Sequence, residues 1–259
     1  MAILISSSFA LIFASDYGWT LTYQVMSLLM LIGIIGVLIC PEEVNVNLKR
    51  LTLQNSIVEP LKDFITRFGL YFASFLLMIV ATYRLTDIVM GPMASPFYLE
   101  KGYTLKEIGY IVKVVAVIAS IVGFFLGGLL VKRLGVKVTL IIGAFLVLMT
   151  NLSFSLVAIL EKDLYLLGWV VGADSLAAGV VGTANITFLT SLVSKKYTAV
   201  QYALLTSFMM LPGKFFSGFS GMLANFMKYE FGEENGWMAF FIFTSLLTLP
   251  SLLLLFYYI

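Results

Sequence analysis

The chain contains no histidine, a single cysteine and few charged residues. Without histidine it can build neither a Ser-His-Asp nor a Cys-His catalytic site, and it cannot ligate a metal through imidazole. The lone Cys40 permits neither an intrachain disulfide nor a cysteine-rich metal site. These absences exclude most hydrolytic enzymes, and the sequence predicts no catalytic residue, no metal site and no cofactor.

Apolar residues are what the chain has in abundance. Hydrophobic residues make up 61% of it and charged residues 12%, against roughly 45–50% and about 25% in soluble domains. They occur in runs of about 20 residues, the length that an α-helix needs to cross a bilayer. No basic run interleaved with aromatic residues indicates binding to nucleic acid. The composition therefore predicts an all-α, polytopic helix bundle in a lipid bilayer.

Short polar loops separate the apolar segments, which we place at 2–15, 20–40, 68–99, 109–131, 137–160, 164–192, 198–227 and 237–259. The first segment is too short to span a bilayer, since about 20 residues are needed, and we interpret it as a clipped helix. The longest connection, 41–67, is predicted to include an amphipathic stretch and to form the main domain boundary of the chain.

Lysine and arginine are unequally distributed between the two predicted sides of the bundle. One side carries most of them, at Lys49, Arg50, Lys62, Arg67, Lys132, Arg133, Lys137, Lys195 and Lys196. The other side carries fewer, at Lys101, Lys106, Lys162 and Lys228. The positive-inside rule places the first set in the cytoplasm, and both termini with it.

Two charged residues, Arg84 and Asp87, lie in the middle of segment 68–99. A charge at the centre of a bilayer costs about 2.5–3.5 kcal/mol on insertion scales, so such residues are candidates for function. Three residues apart on a helix, the two share a face and can pair. Two interpretations stay open. The pair either holds neighbouring helices together, or Arg84 anchors an anionic group while Asp87 serves as a proton or orientation partner.

Further polar residues lie inside other apolar segments. Asp174, among the small residues of 172–183, is a candidate protonation site. Lys113 lies near the outer end of its segment, where it either extends to the membrane surface or contacts a solute. Gln201 either hydrogen-bonds a sugar hydroxyl or bridges helices. Lys214 is a further candidate contact for the solute.

Prolines inside the apolar segments predict irregular helices. Gly91-Pro92 and Pro96 predict a break in one helix, and Pro212-Gly213 predicts a kink in another. Proline removes one backbone donor and kinks a helix. Carbonyl groups freed in this way need a cavity or a protein neighbour inside a membrane.

Small residues at helix-packing spacing predict close helix contacts in two segments. They are Ala119, Gly123 and Gly127 in one segment, and Gly213, Ser217 and Gly221 in another. Close backbone approach of this kind drives helix association in lipid, where no hydrophobic effect pulls helices together.

The stretch 127–137, GGLLVKRLGVK, joins two segments on the predicted cytoplasmic side. We interpret it as a gating loop formed by Gly127, Gly128, Lys132, Arg133 and Gly135. The glycines permit close helix approach, and the two cations can pair with acidic or helix-end groups. The pattern resembles the loop signature of the major facilitator superfamily.

Several segments in order make the chain resemble the AmpG muropeptide permeases of that superfamily. They are 18–33, 83–87 (YRLTD), 102–113, 123–135, 198–205 and 236–254. The resemblance implies proton-driven import of GlcNAc-anhydro-MurNAc and its peptides across the bacterial inner membrane. It also implies substrate-binding residues at Arg84, Lys113, Gln201 and Lys214, and proton-coupling residues at Asp87 and Asp174.

Such permeases have two six-helix halves, and the resemblance assigns the parts of this chain accordingly. Residues 68–259 are expected to form the C-terminal half, 41–67 the cytoplasmic loop between halves, and 1–40 the last two helices of the first half. The chain is then expected to be N-terminally truncated. Two functions stay open: a proton-coupled importer of anhydro-muropeptides, or a truncated or split-gene product. The second would transport nothing alone, or would work only with a separately encoded N-terminal half.

Overall fold

A computed structural model describes residues 9–40 and 57–258, which form helices and no strand. The helices are α1 (Ala10–Tyr17), α2 (Trp19–Ile39), α3 (Glu59–Phe68), α4 (Leu70–Tyr83), α5 (Leu85–Glu100), α6 (Leu105–Glu107), a π-helical segment (Ile108–Val115), α7 (Ala116–Ile159), α8 (Leu164–Leu192), α9 (Thr198–Ser217), α10 (Ser220–Phe231), α11 (Glu233–Leu246) and α12 (Leu249–Tyr258). The all-α prediction is confirmed. Residues 2–8 of the predicted first segment and residues 41–56 of the predicted loop lie outside the described residues.

Five helical stretches are long and apolar enough to cross a membrane: Trp19–Ile39, Leu70–Glu100, Leu105–Ile159, Leu164–Leu192 and Asn235–Tyr258. At about 1.5 Å per residue, the third is far longer than one bilayer crossing. It contains two crossings, because the chain reverses at Gly135, whose φ of +82° is outside the helical region. The predicted segments on either side of 132–137 are confirmed, and the turn between them is shorter than expected.

Helix α5 continues through Pro92 and Pro96, so the break predicted there was wrong. Helix α9 also continues through Pro212, where the predicted kink stays a prediction. Neighbouring groups can satisfy the one carbonyl that each proline frees in a membrane helix. The chain turns instead at Arg84, with φ −109° and ψ 11°, and around Phe219, between α9 and α10.

Glycines bring the backbones of α7 and α8 into contact. A Cβ atom at Gly123 would overlap the carbonyl oxygen of Leu176, and one at Gly127 would lie 2.9 Å from Cα of Val180. From the opposite side, a Cβ at Gly179 would lie 2.5 Å from the carbonyl oxygen of Ser120. The close packing predicted for the Gly123–Gly127 stripe is confirmed.

Two apolar clusters fill the core, one toward each end of the bundle. Leu76, Leu140 and Phe188 belong to the first, and Phe97 and Phe241 to the second. Along the chain, polar residues fall between the two clusters on three elements: Arg84 and Asp87 at the start of α5, Thr150 and Asn151 on α7, and Asp174 on α8. These five residues form a polar layer at mid-height in the bundle.

The loops meet at two ends, as the charge pattern predicts. At one end, Arg67 donates a hydrogen bond to the carbonyl oxygen of Leu192, which joins α3 to α8. At the other end, Nζ of Lys162 lies 2.9 Å from a carboxylate oxygen of Glu107. The grouping of the described loops into two sides is therefore confirmed.

Helices α1 and α2 lie at the edge of the bundle. Helix α2 packs against α1 and is largely exposed, with Met30 73% and Leu38 79% accessible. Helix α1 contacts α6, and Asp16 and Lys106 form an ion pair of 2.6 Å across that contact. The first two helices are thus attached at the end of the bundle that holds Glu107.

Candidate functional site

The polar layer borders a cavity of about 170 Å³ where α5 faces α7 and α8. Helix α5 lines it with one face, because its lining residues recur at helical spacing: Asp87, Met90, Gly91, Ala94 and Tyr98. The other lining residues are Arg84 at the α4–α5 turn, Asn151 and Phe154 on α7, and Asp174 and Ala178 on α8. The cavity therefore brings together the charged residues that the sequence singled out in separate segments.

Arg84 and Asp87 form the ion pair that their spacing predicts. Nη2 of Arg84 lies 3.4 Å from Oδ2 of Asp87, and the two side chains are 29% and 21% exposed. The Nε atom of Arg84 is buried without a hydrogen-bond partner among the described residues. The pair lowers the cost of placing two charges in the membrane interior, and it leaves one donor of the guanidinium unused.

Asp174 faces the same cavity from α8. The hydroxyl of Thr150 on α7 donates a hydrogen bond of 3.0 Å to Oδ1 of this carboxyl group. No cation lies within ion-pair distance of Asp174 among the described residues. This carboxyl group lies in the membrane interior with a hydroxyl partner and no neighbouring cation among the described residues. Such a group is suited to take up and release a proton.

Sequence reasoning missed Asn151, which follows Thr150 on α7. Its side chain is 2% exposed, and its amide nitrogen has no hydrogen-bond partner among the described residues. Buried amide groups normally find a partner, so an unpaired one calls for an explanation. The available signal was the adjacent polar pair Thr150-Asn151 in the middle of the largely apolar segment 137–160.

Gln201 lies outside the cavity lining and bridges helices instead. Its amide nitrogen donates to the carbonyl oxygen of Pro60 at 2.8 Å and to Oδ2 of Asp63 at 2.9 Å. Its amide oxygen accepts from the backbone N–H of Ser194 at 2.7 Å. The side chain is 2% exposed, so it fastens α3 to the start of α9.

Lys113 and Lys214 also lie outside the cavity lining. Lys113 is half-buried in the π-helical segment, and π-helical turns are frequent at functional sites. Lys214 is exposed on α9, next to Gly213, which packs against Ile88. Within residues 9–40 and 57–258, neither ammonium group has an ion-pair partner.

The predicted gating residues lie toward one end of the bundle, away from the cavity. Gly127 packs against α8, while a Cβ at Gly128 would meet no atom within 4 Å. Lys132 and Arg133 are exposed in the last turn before Gly135. Their gating role stays a prediction.

The chain matches the family model of the Major Facilitator Superfamily over residues 1–217. It is 33% identical over 264 residues to "Putative transporter AmpG 4" of Rickettsia conorii, an alignment that covers 99% of this chain and 61% of the relative. It is 30% identical over 257 residues to the "Anhydromuropeptide permease" of Escherichia coli K12, which covers 98% of this chain and 50% of the relative.

The chain thus spans between 50% and 61% of the length of these two relatives. The family match covers most of the sequence, and the helices that cross the membrane make this a multi-pass membrane protein. The chain belongs to the major facilitator superfamily and is similar to its AmpG-type permeases.

Proposed function

We propose that this chain takes part in proton-coupled import of anhydro-muropeptides across the bacterial inner membrane. The observation that carries the proposal is the cavity at mid-height, where Arg84, Asp87 and Asp174 converge between two apolar clusters. Ionisable residues inside a membrane bundle mark solute and proton pathways. The substrate class comes from the Escherichia coli relative, whose name is anhydromuropeptide permease.

Each charged residue has a role in this proposal. Asp174 takes up the proton, since it has a hydroxyl partner and, among the described residues, no cation within ion-pair distance. Arg84 contacts the substrate, and Asp87 orients the guanidinium and responds to protonation of the site. Lys113 and Lys214 are proposed as contacts with parts of the substrate that extend beyond the cavity.

In the proposed arrangement of the chain in the membrane, residues 68–259 form the C-terminal six-helix half. Residues 41–67 form the loop between the halves, and residues 1–40 form the end of the first half. The end that carries Arg67, Lys132 and Lys137 faces the cytoplasm by the positive-inside rule, and both termini lie on that side. Gly135 and its neighbours then belong to the cytoplasmic gate.

A second candidate function follows from the exposure of the charged pair. The side chains of Arg84 and Asp87 are 29% and 21% exposed, so an uncovered cavity would present charge to lipid. Each such charge costs about 2.5–3.5 kcal/mol. In this alternative, the chain transports only when another helical segment covers the cavity, whether that segment is in the same polypeptide or a separate one.

Uptake of labelled anhydro-muropeptide tests both functions in cells that lack their own permease. The cells express this chain alone or together with the N-terminal half of the Escherichia coli relative. Uptake by the chain alone supports the importer, and uptake only on co-expression supports the covered alternative. In either case Asp174→Asn should abolish accumulation. If the chain reaches the membrane and neither combination takes up the compound, the proposal is contradicted.

A further inference from the structure

Two residues of the cavity lining each carry a buried polar donor that has no partner within the described residues. The donors are Nε of Arg84 and Nδ2 of Asn151. An unsatisfied buried donor costs about 1–3 kcal/mol, so such groups persist where a ligand or water accepts from them. Thr150, next to Asn151, directs its own hydroxyl to Asp174. Arg84 and Asn151 are therefore the lining residues at which an oxygen acceptor would satisfy an unpaired donor.

The size of the cavity limits what can enter. Its volume of about 170 Å³ is well below the roughly 300–1,000 Å³ of pockets that enclose a whole small-molecule ligand. Only one functional group of a larger solute fits there. The rest of the solute must lie outside, on the side where Arg84 and Asp87 are exposed.

The charges of the cavity limit the chemistry of that group. Asp87 and Asp174 supply two carboxyl groups, while Arg84 supplies the single cation of the lining. A guest carboxylate would be a third carboxyl group against one guanidinium, and like charges at close range repel. A neutral secondary amide instead offers a carbonyl oxygen to the two donors and an N–H group to a carboxylate.

We infer that Asn151 and Arg84 form a binding site for one neutral secondary amide of the transported solute, and that Asn151 determines this specificity. The inference rests on the proposed function for the identity of the whole solute. In an anhydro-muropeptide the amide belongs either to an acetamido group of the sugars or to the peptide.

Protection of a cysteine in the cavity tests this inference on the full chain in lipid nanodiscs. Ala178→Cys, in a Cys40→Ser background, places a thiol on the cavity lining, and its rate of reaction with a small methanethiosulfonate is measured. The probes are GlcNAc-anhydro-MurNAc without peptide, the free stem peptide, N-methylacetamide and acetate. We expect N-methylacetamide to slow the reaction and acetate to leave it unchanged. Protection by the disaccharide or by the peptide identifies the source of the amide.

Asn151→Leu removes the amide donor with little change in volume, and Asn185→Leu is the matched control. Asn185 is also a buried amide, 4% exposed, on α8 outside the cavity lining. Because the amide nitrogen of Asn151 makes no hydrogen bond in the described residues, the leucine variant should keep its thermal stability. In Asn151→Leu, we expect N-methylacetamide and muropeptide to protect the thiol with about tenfold lower affinity. This is the change that the loss of one hydrogen bond produces. In Asn185→Leu, both compounds should protect the thiol as strongly as they do in the parent.

The outcomes separate this inference from the proposed function. Equal protection in Asn151→Leu and its parent, or better protection by acetate than by the amide, overturns the inference and leaves the proposed function standing. A third outcome is that N-methylacetamide protects the thiol in a manner that depends on Asn151, while neither the disaccharide nor the peptide protects it. This outcome supports the amide site and overturns the anhydro-muropeptide assignment. No protection by any probe overturns the inference for this chain and leaves the covered alternative of the proposed function standing.

Discussion

Thr150 and Asp174 join α7 to α8 at the wall of the cavity through a hydrogen bond of 3.0 Å from hydroxyl to carboxyl. The bond fixes the carboxyl group within the polar layer, on the face of α8 that also carries Ala178. Asp174 is thereby held beside the Arg84–Asp87 pair, and no cation of the described residues lies within ion-pair distance of it. This relationship makes Asp174 the residue on which proton coupling is easiest to test.

Asp174→Asn should remove the pH dependence of uptake. The asparagine keeps the volume of the side chain and can still accept from Thr150, but it cannot take up a proton. Import driven by protons weakens as the external medium becomes alkaline, and in the variant the residual uptake should no longer vary with external pH. Uptake of labelled anhydro-muropeptide across a pH series measures this. Thr150→Val keeps the carboxyl group but removes its hydrogen bond, so uptake by this variant should still vary with pH, with a shifted profile. An unchanged pH profile in Asp174→Asn would remove this residue from the mechanism.

Gly123→Ala should destabilise the bundle, whereas Gly128→Ala should not. A Cβ at Gly123 would overlap the carbonyl oxygen of Leu176, while one at Gly128 meets no atom within 4 Å. Overpacking of this kind costs about 1–3 kcal/mol. Alanine at an unhindered helical position gains up to about 1 kcal/mol over glycine. Thermal unfolding in detergent should show a lower Tm for the first variant only, and equal Tm values would show that α7 and α8 are not in backbone contact.

Gln201 and Asp63 should be energetically coupled, because their side chains hydrogen-bond at 2.9 Å. A double-mutant cycle with Gln201→Ala and Asp63→Ala measures the coupling through chemical denaturation. We expect the free energy of unfolding lost in the two single variants, added together, to exceed the loss in the double variant by about 0.5–3 kcal/mol. This is the range for residues in contact. Additive losses would mean that the hydrogen bond between Gln201 and Asp63 does not fasten α3 to α9. A large effect of Gln201→Ala on substrate affinity with unchanged stability would instead favour the predicted substrate contact.

The helical class and the positions of most crossings could be predicted because lipid allows few alternatives. A run of about 20 apolar residues in a bilayer must satisfy its own backbone, and a helix does so. The Arg84–Asp87 pair could also be predicted from the sequence, since a spacing of three residues places both side chains on one helix face. Local spacing was therefore sufficient wherever the partners lie on the same helix.

The proximity of that pair to Asp174 depends on contacts between different helices, which the spacing of residues within one helix does not determine. It requires α8 to lie against α7 at the depth fixed by Gly123 and Gly179, with α5 opposite both. Asn151 was missed for a related reason, because an asparagine in an apolar helix can equally be a satisfied bridge between helices. The turn at Arg84 has no proline or glycine to signal it, whereas Pro92 and Pro96 signalled breaks that the helix does not have.

Equilibrium binding of radiolabelled anhydro-muropeptide to the purified full chain in nanodiscs tests the central claim most directly. The claim is that the cavity lined by Arg84, Asp87 and Asp174 belongs to the path of this solute. The matched variant is Arg84→Gln with Asp87→Asn, which removes both charges together and leaves no unpaired ion in the membrane. The account predicts saturable binding by the unmodified chain and at least a tenfold loss of affinity, about 1.4 kcal/mol, in the double variant. Undiminished binding by the double variant, or no saturable binding by the unmodified chain, would contradict it.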